Sequence, residues 1–150
     1  MNETLRTLTD TPATLEGIVK RLEAHGKLDA PRAAGKWTPR QILAHLADVE
    51  PIQTVRVMTM LAEDTLPMIA FNADAWGEAG AYTVRDPRGS LQTFTAIRAH
   101  NLELWSALST QQLERRGVHP TRGEFSIMQW LQFVAKHDAN HLAQLEASLG

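Results

Sequence analysis

Cysteine is absent from the 150-residue chain, which excludes a disulfide framework, a catalytic thiol and any thiolate metal ligand. An excess of one charge is also missing. Fifteen Lys and Arg stand against 17 Asp and Glu, a formal net charge of -2, so no basic field is available to hold a phosphate backbone, and nucleic acid is not an expected partner. No run approaches the roughly 20 apolar residues of a membrane-spanning helix. The opening Met1 to Asp10 is polar and mixed in charge, without the apolar stretch of a signal peptide. A cytoplasmic protein with no membrane partner is the expectation. β-Branched runs and Asn-Gly or Asp-Gly hairpin turns are lacking too, so no strand is predicted. What remains is a composition of 43% hydrophobic and 21% charged residues, ordinary for one globular domain spanning residues 1–150.

The apolar residues that are present repeat at helical spacing. Thr11 before Pro12 predicts a helix N-cap with proline at the first helical position, followed by Leu15, Ile18, Val19 and Leu22, and fading near His25 and Gly26. A second start is written in Trp37-Thr-Pro-Arg-Gln41-Ile42. Thr38 and Gln41 form a capping box, Pro39 opens the helix, and Trp37 is placed to staple onto Ile42. Its stripe runs through His45, Leu46, Val49, Ile52, Gln53, Arg56 and Met60, with Pro51 predicted to kink it and free the carbonyl of Ala47. A third helix is predicted from Ser90, with Arg98 and Asn101 on a broad apolar face where they need buried partners. The fourth begins with Ser126 and Gln129 as another capping box and Phe125 stapled to Trp130, and carries Phe133, Val134, His137, His141 and Gln144 on one face. The class is all-α.

The connection between the second and third helices, Glu63 to Gly89, is far longer than the roughly 2 to 8 residues that join antiparallel neighbours. It predicts a crossover, parallel second and third helices, and a four-helix bundle running up, down, down, up. A short helix after Asn72 is expected there, and the aromatic residues of the segment, Trp76 among them, make it a candidate cover for a pocket.

Three histidines, His45, His137 and His141, occupy positions on these apolar stripes where leucine would serve. Imidazole nitrogen is the commonest protein ligand for borderline metals, and residues i and i+4 share a helix face, so His137 and His141 can be donated from one rigid element. With six histidines in the chain, a His-x-x-x-His pair alone is a weak signal. Two members on one apolar face and a third on another helix make a stronger one. Separate core histidines, each bonded to a carbonyl, are the competing reading, and with them a plain helical interaction module. His25, His100 and His119 read as surface residues. A zinc-protease mechanism is excluded because glutamate does not follow the first histidine of His137-Asp-Ala-Asn-His141. Asp138 reads either as a solvated carboxylate or as one that orients a ring N–H. Arg56, Arg98, Asn101 and Gln144 are placed to orient ligands or an anionic substrate, or, for the arginines, to pair in the core with residues such as Glu50.

Taken together, Trp37-Thr-Pro-Arg-Gln-Ile-Leu-Ala-His45-Leu-Ala-Asp48-Val-Glu50, the downstream Arg56, Asn72-Ala-Asp74-Ala-Trp76 and His137-Asp-Ala-Asn-His141-Leu-Ala-Gln144 resemble the DinB/YfiT-like superfamily of small metal-dependent proteins over most of the chain. The resemblance implies a four-helix bundle with a crossover, a divalent metal on residues matching His45, His137 and His141, and a homodimer. Related sequences often carry aspartate where this chain has Asn72. The superfamily includes thiol-dependent S-transferases and isomerases as well as hydrolases. Three neutral imidazoles leave the +2 charge of a metal uncompensated and favour an anionic fourth ligand: hydroxide, a carboxylate or the thiolate of a low-molecular-weight thiol. The expectation is therefore a hydrolase or thiol-dependent S-transferase acting on a small molecule. A non-catalytic metal-binding or stress-associated bundle is the alternative. Zinc or nickel is expected first, with iron and cobalt compatible with the same ligands.

Overall fold

The computed structural model describes residues 1–64 and 67–150; Thr65 and Leu66 of the predicted crossover lie outside the described residues. In chain order the elements are α1 (Asn2–Ala24), α2 (Pro39–Ala62), α3 (Ala73–Ala79), a 3₁₀ turn (Tyr82–Val84), α4 (Pro87–Trp105), α5 (Thr110–Leu113), β1 (Arg116–His119), β2 (Gly123–Ser126) and α6 (Ile127–Ala147). The four long helices are α1, α2, α4 and α6.

Local sequence chemistry sets most of the boundaries. The capping boxes of Thr38 with Gln41 and Ser126 with Gln129 open α2 and α6. Asn72 caps α3 by accepting from the Ala75 N–H at 2.9 Å, the short helix expected after that residue. Asp86 caps α4, which begins at Pro87, three residues before the predicted start near Ser90, because the Asp86 carboxylate satisfies the N–H groups of Arg88 and Gly89. Phe125 meets Trp130 edge to face at 5.0 Å, as the staple requires.

The predicted start of α1 is wrong. The helix begins at Asn2 and runs through Pro12. Proline lacks the N–H that would bond the carbonyl four residues back, but that carbonyl, on Leu8, accepts instead from Arg98 Nη1 at 3.2 Å. Thr11 is no cap, since its hydroxyl donates back to the Thr7 carbonyl at 2.9 Å. With the orphan acceptor satisfied and Leu8 fully buried, the first turns are worth forming. α2 likewise continues through Pro51 to Ala62.

Helix directions follow from the side-chain pairs. Arg88 reaches Glu16 and Glu23 while Arg98 reaches the Leu8 carbonyl, so α4 opposes α1. Arg85 pairs with Asp48, Arg98 with Glu50 and Asn101 with Thr54, so α2 and α4 are parallel. His45 meets His137 and Gln53 meets Trp130, so α6 opposes α2. The bundle is up, down, down, up, as the long connection predicts.

A small antiparallel hairpin corrects the expectation of no strand: Arg116 pairs with Ser126 and His119 with Gly123. Tertiary contacts hold it. Val118 accepts from the Met68 N–H at 2.9 Å, and Gly117 lies so close to Met60 that a Cβ there would meet its Cγ at 2.7 Å. Gly123, at φ +90°, turns the chain in a region that side chains disfavour.

The core forms two apolar clusters, one around Leu8, Val57, Met60, Trp105, Trp130 and Val134, the other around Leu15, Ile18, Ile42, Leu46, Phe94 and Leu145. Between them along α2, α4 and α6 lies a polar layer of Glu50, Arg98, Asn101 and Asp138, each at most 2% exposed. No helix among the described residues is long and apolar enough to cross a membrane.

Candidate metal centre

α2 presents His45 and α6 presents His137 and His141, and the three imidazoles meet. One ring nitrogen from each lies within 4.8 Å of the others. His45 Nε2 and His137 Nε2 are 3.2 Å apart, close to the ~3.3 Å that separates two nitrogens bound at ~2.0 Å to one tetrahedral ion. Burial first, and then the neighbouring rings His141 and His137, lower the pKa of His45 to about 3. Burial, followed by the charge of His137, lowers that of His141 to about 4. Both rings are therefore neutral at pH 7 and keep a lone pair to donate.

The other nitrogens are held from outside. His137 Nδ1 lies 3.2 Å from Asp138 Oδ1, and His141 Nδ1 lies 2.9 Å from Gln144 Oε1. An acceptor at Nδ1 fixes the proton there and leaves Nε2 free for a cation. His45 differs, because its Nδ1 is buried without a partner and its ring rests against Trp37, centroids 5.2 Å apart. The residues present fit a divalent metal, with the donor set coming from two helices.

Behind His137 the polar layer becomes legible. Asp138 turns one oxygen to His137 and the other to Arg98 Nη2 at 2.8 Å. The solvated reading of Asp138 is thus wrong, since the carboxylate is 2% exposed, and its neighbour's ring is what it orients. Arg98 also donates from Nε and Nη2 to the two oxygens of Glu50 at 2.7 and 2.8 Å, and Asn101 donates to Glu50 Oε1 at 2.8 Å. Arg98 and Asn101 are therefore supports in the core, away from the cavity.

The histidines sit in an open cavity of about 880 Å³ lined also by Trp37, Gln53, Arg56, Phe71, Asn72, Asp74, His119, Arg122, Trp130, Phe133 and Gln144. The crossover contributes Phe71, Asn72 and Asp74 to its wall, as a cover should. Trp76 stands one layer back against Phe71, at 4.5 Å, outside the lining. Arg85 and Arg88 of the same segment pair with Asp48 and with Glu16 and Glu23, so their role is to fasten the crossover.

His119 corrects the surface reading. It is 6% exposed, stacks near Trp130 at 6.0 Å and lines the cavity. Neither His119 nor Arg122 carries a helical signal, and only the unpredicted hairpin brings them here.

Chains of known fold and sequence resemble this one. The protein named "Putative metal-dependent hydrolase YfiT" from Bacillus subtilis is 29% identical over 94% of this chain and 79% of its own length. A second, "Putative metal-dependent hydrolase OB0782" from Oceanobacillus iheyensis, is 28% identical over 97% of this chain and 83% of its own. The solved structure of Bacillus subtilis YfiT, described as having an unusual four-helix bundle topology, superposes with a TM-score of 0.91 over 98% of this chain and 84% of that one, at 28% identity. A mycothiol-dependent maleylpyruvate isomerase shares the fold with a TM-score of 0.77 over 96% of this chain, at 12% identity; the alignment spans 60% of that longer chain. The sequence pattern of the DinB superfamily runs through residues 7–145, from within α1 almost to the end of α6, and this chain belongs to that superfamily.

Proposed function

We propose that the protein is a metal-dependent enzyme acting on a small molecule, a hydrolase in the first instance, with His45, His137 and His141 as ligands of one divalent ion. The observation that carries this reading is the convergence of three imidazoles on one point within an open cavity, two of them, His137 and His141, oriented by outside acceptors. A divalent ion held by three neutral ligands keeps its full charge and lowers the pKa of an adjacent water or thiol toward neutrality, supplying an anionic nucleophile without any protein cysteine or serine. The chain's own residues do the rest. Asp138 and Gln144 fix the tautomers, Trp37 packs the ring of His45, and the crossover residues Phe71 and Asn72 wall the cavity.

Purified protein is expected to hold one divalent ion per chain, and His45→Ala, His137→Ala and His141→Ala are each expected to lose it. Ester and amide hydrolysis by the loaded protein should vanish with chelator and return with metal. Stoichiometric metal in all three variants would refute the ligand assignment. Metal without turnover across the panel would favour the non-catalytic bundle.

A second reading, thiol-dependent S-transfer, is supported by the fold shared with the mycothiol-dependent isomerase and by a cavity of about 880 Å³, large enough for a thiol and an electrophile together. In that case an added small thiol shifts the visible spectrum of the cobalt-loaded protein. An unchanged spectrum across a panel of thiols removes this reading.

A further inference from the structure

The cavity's charge is at odds with that of the chain. Overall the protein is slightly acidic, at -2, yet its cavity is lined by Arg32, Lys36, Arg56 and Arg122 against Asp74 as the one acid among the described lining residues. Most arginines of this protein have a carboxylate partner, including Arg98 in the core and Arg116 on the hairpin. Arg6, Arg32, Arg56 and Arg122 have none among the described residues, and the last three line this one space.

Arg56 is the most telling. It is 5% exposed, and a guanidinium taken out of water without a counter-charge is costly. Its Nε and Nη2 donate to the Ile69 carbonyl at 2.9 and 2.6 Å. Its carbon lies 4.9 Å from the centre of the Trp130 ring and 5.5 Å from that of Phe71. The group is thus held rigidly, with Nη1 unbonded among the described residues. Burial, and then the charge of Arg122, lower its pKa to about 10, so it stays cationic at neutral pH with no carboxylate among the described residues to offset that repulsion. Arg122 lies on Phe133 at 5.0 Å, and Phe133 stacks on Trp130 at 4.8 Å, so both cations ride on one aromatic platform. His119 joins them at Trp130. Its Nδ1 accepts from the Thr121 N–H at 3.2 Å, which places the ring proton on Nε2, where no group among the described residues receives it. Burial, then Arg56 and Arg122, lower its pKa, so it acts as a neutral donor.

We infer that Arg56, Arg122 and the Nε2–H of His119 form an anion subsite in the metal cavity, which takes a carboxylate or phosphate of the substrate or of its thiol partner. Trp130 lies seven residues from His137 on α6, roughly 10 Å along the helix axis. The ligand is therefore an elongated acid, with its charged end about two helical turns from the group that meets the metal. This identification of the ligand rests on the cavity being the active site; the anion site itself does not.

The test uses metal-loaded protein titrated calorimetrically, at low ionic strength, with inorganic phosphate and with glutarate as probes, and metal content is measured on every sample. Saturable binding of at least one probe in the millimolar range or tighter is expected, weakened about tenfold or more by Arg122→Gln and by Arg56→Gln and unchanged by Arg116→Gln. Arg122 is exposed, so its variant reports even if the buried Arg56→Gln fails to fold. The tighter of the two probes identifies the anion as phosphate or carboxylate. Affinity unaltered by Arg122→Gln, or no saturation by either probe at about 10 mM, overturns the subsite. A chain that binds the probe through these arginines but holds no metal refutes the enzymatic reading and leaves the anion site standing.

Discussion

Asp138→Asn tests the structural logic of the metal centre most directly, because it removes a charge and one acceptor while keeping the shape. The native carboxylate serves two donors at once, Oδ2 receiving Arg98 Nη2 and Oδ1 facing His137 Nδ1. An asparagine has one oxygen and one NH₂, so one of the two neighbours must lose its acceptor. If the oxygen faces Arg98, the amide N–H meets His137 Nδ1 and selects the tautomer that carries its proton on Nε2, the nitrogen a metal needs. If the oxygen faces His137, a fully buried guanidinium meets an NH₂ group.

Breaking a buried ion pair from one side costs about 3 to 5 kcal/mol. Here Arg98 keeps both bonds to Glu50, which puts the loss nearer 2 kcal/mol, a fall in Tm of about 4 to 8 °C for a chain of this size. Because the arginine is the charged partner, the oxygen is expected to stay with it. The larger effect should then fall on the metal: affinity about 10- to 100-fold weaker, measured by competition with a chromophoric chelator at pH 7. A folded Asp138→Asn protein whose metal affinity lies within about twofold of the parent would show that Asp138 supports the bundle only and does not orient His137.

Gln144→Leu removes the acceptor from His141 Nδ1 and should weaken metal binding about tenfold while leaving the melting temperature of metal-free protein nearly unchanged; chelator competition and calorimetry separate the two. In metal-free protein, His45 and His141 have pKa values lowered from 6.5 to about 3 and about 4. Between those limits the unfolded chain binds more protons, so stability present at pH 7 is lost as the pH falls. Denaturant unfolding should show a loss of about 2 kcal/mol from each ring, about 4 kcal/mol in all, by pH 5, and a flat profile from pH 7 to 5 would contradict the buried, neutral state of both rings. Thr38→Ala removes the capping box of α2, the helix that carries His45, and should cost about 1 kcal/mol, seen as a Tm lower by about 2 to 4 °C. Excess chelator should lower the Tm of protein purified with its metal, since the site exists only in the folded chain.

The parts of the fold that were legible in the sequence are those encoded within a few residues. Thr38 with Gln41 and Ser126 with Gln129 mark helix starts because the cap and its reciprocal partner lie three positions apart. The length from Glu63 to Gly89 made α2 and α4 parallel by geometry alone. The three histidines stood out because each interrupts an apolar stripe. The features that were missed depend on contacts far apart in the chain. Pro12 looked like a first helical residue, because nothing near it announces that Arg98, on another helix, satisfies the carbonyl it frees. The strands Arg116–His119 and Gly123–Ser126 lack hairpin chemistry and are held instead by Met68 and by the packing of Gly117 on Met60. His119 and Arg122 were lost with them.

The polar layer poses an energetic question that the metal centre answers. Buried ion pairs are weak sources of stability, and well-packed apolar side chains often serve as well or better. Yet here Arg98, Glu50, Asn101 and Asp138 divide one core into two clusters. The hydrogen bonds give the layer a direction. The Leu8 carbonyl of α1, freed by Pro12, and Glu50 of α2 both receive Arg98 of α4, which in turn holds Asp138 of α6 against His137. All four long helices thus contribute a group to the chain of bonds that ends on a ring nitrogen. Apolar residues could fill the same volume, but they would leave His137 free to rotate and to exchange tautomers. The layer is therefore better understood as the support of a ligand than as a source of folding stability, and this is why a conservative Asp138→Asn change should damage metal affinity more than the bundle.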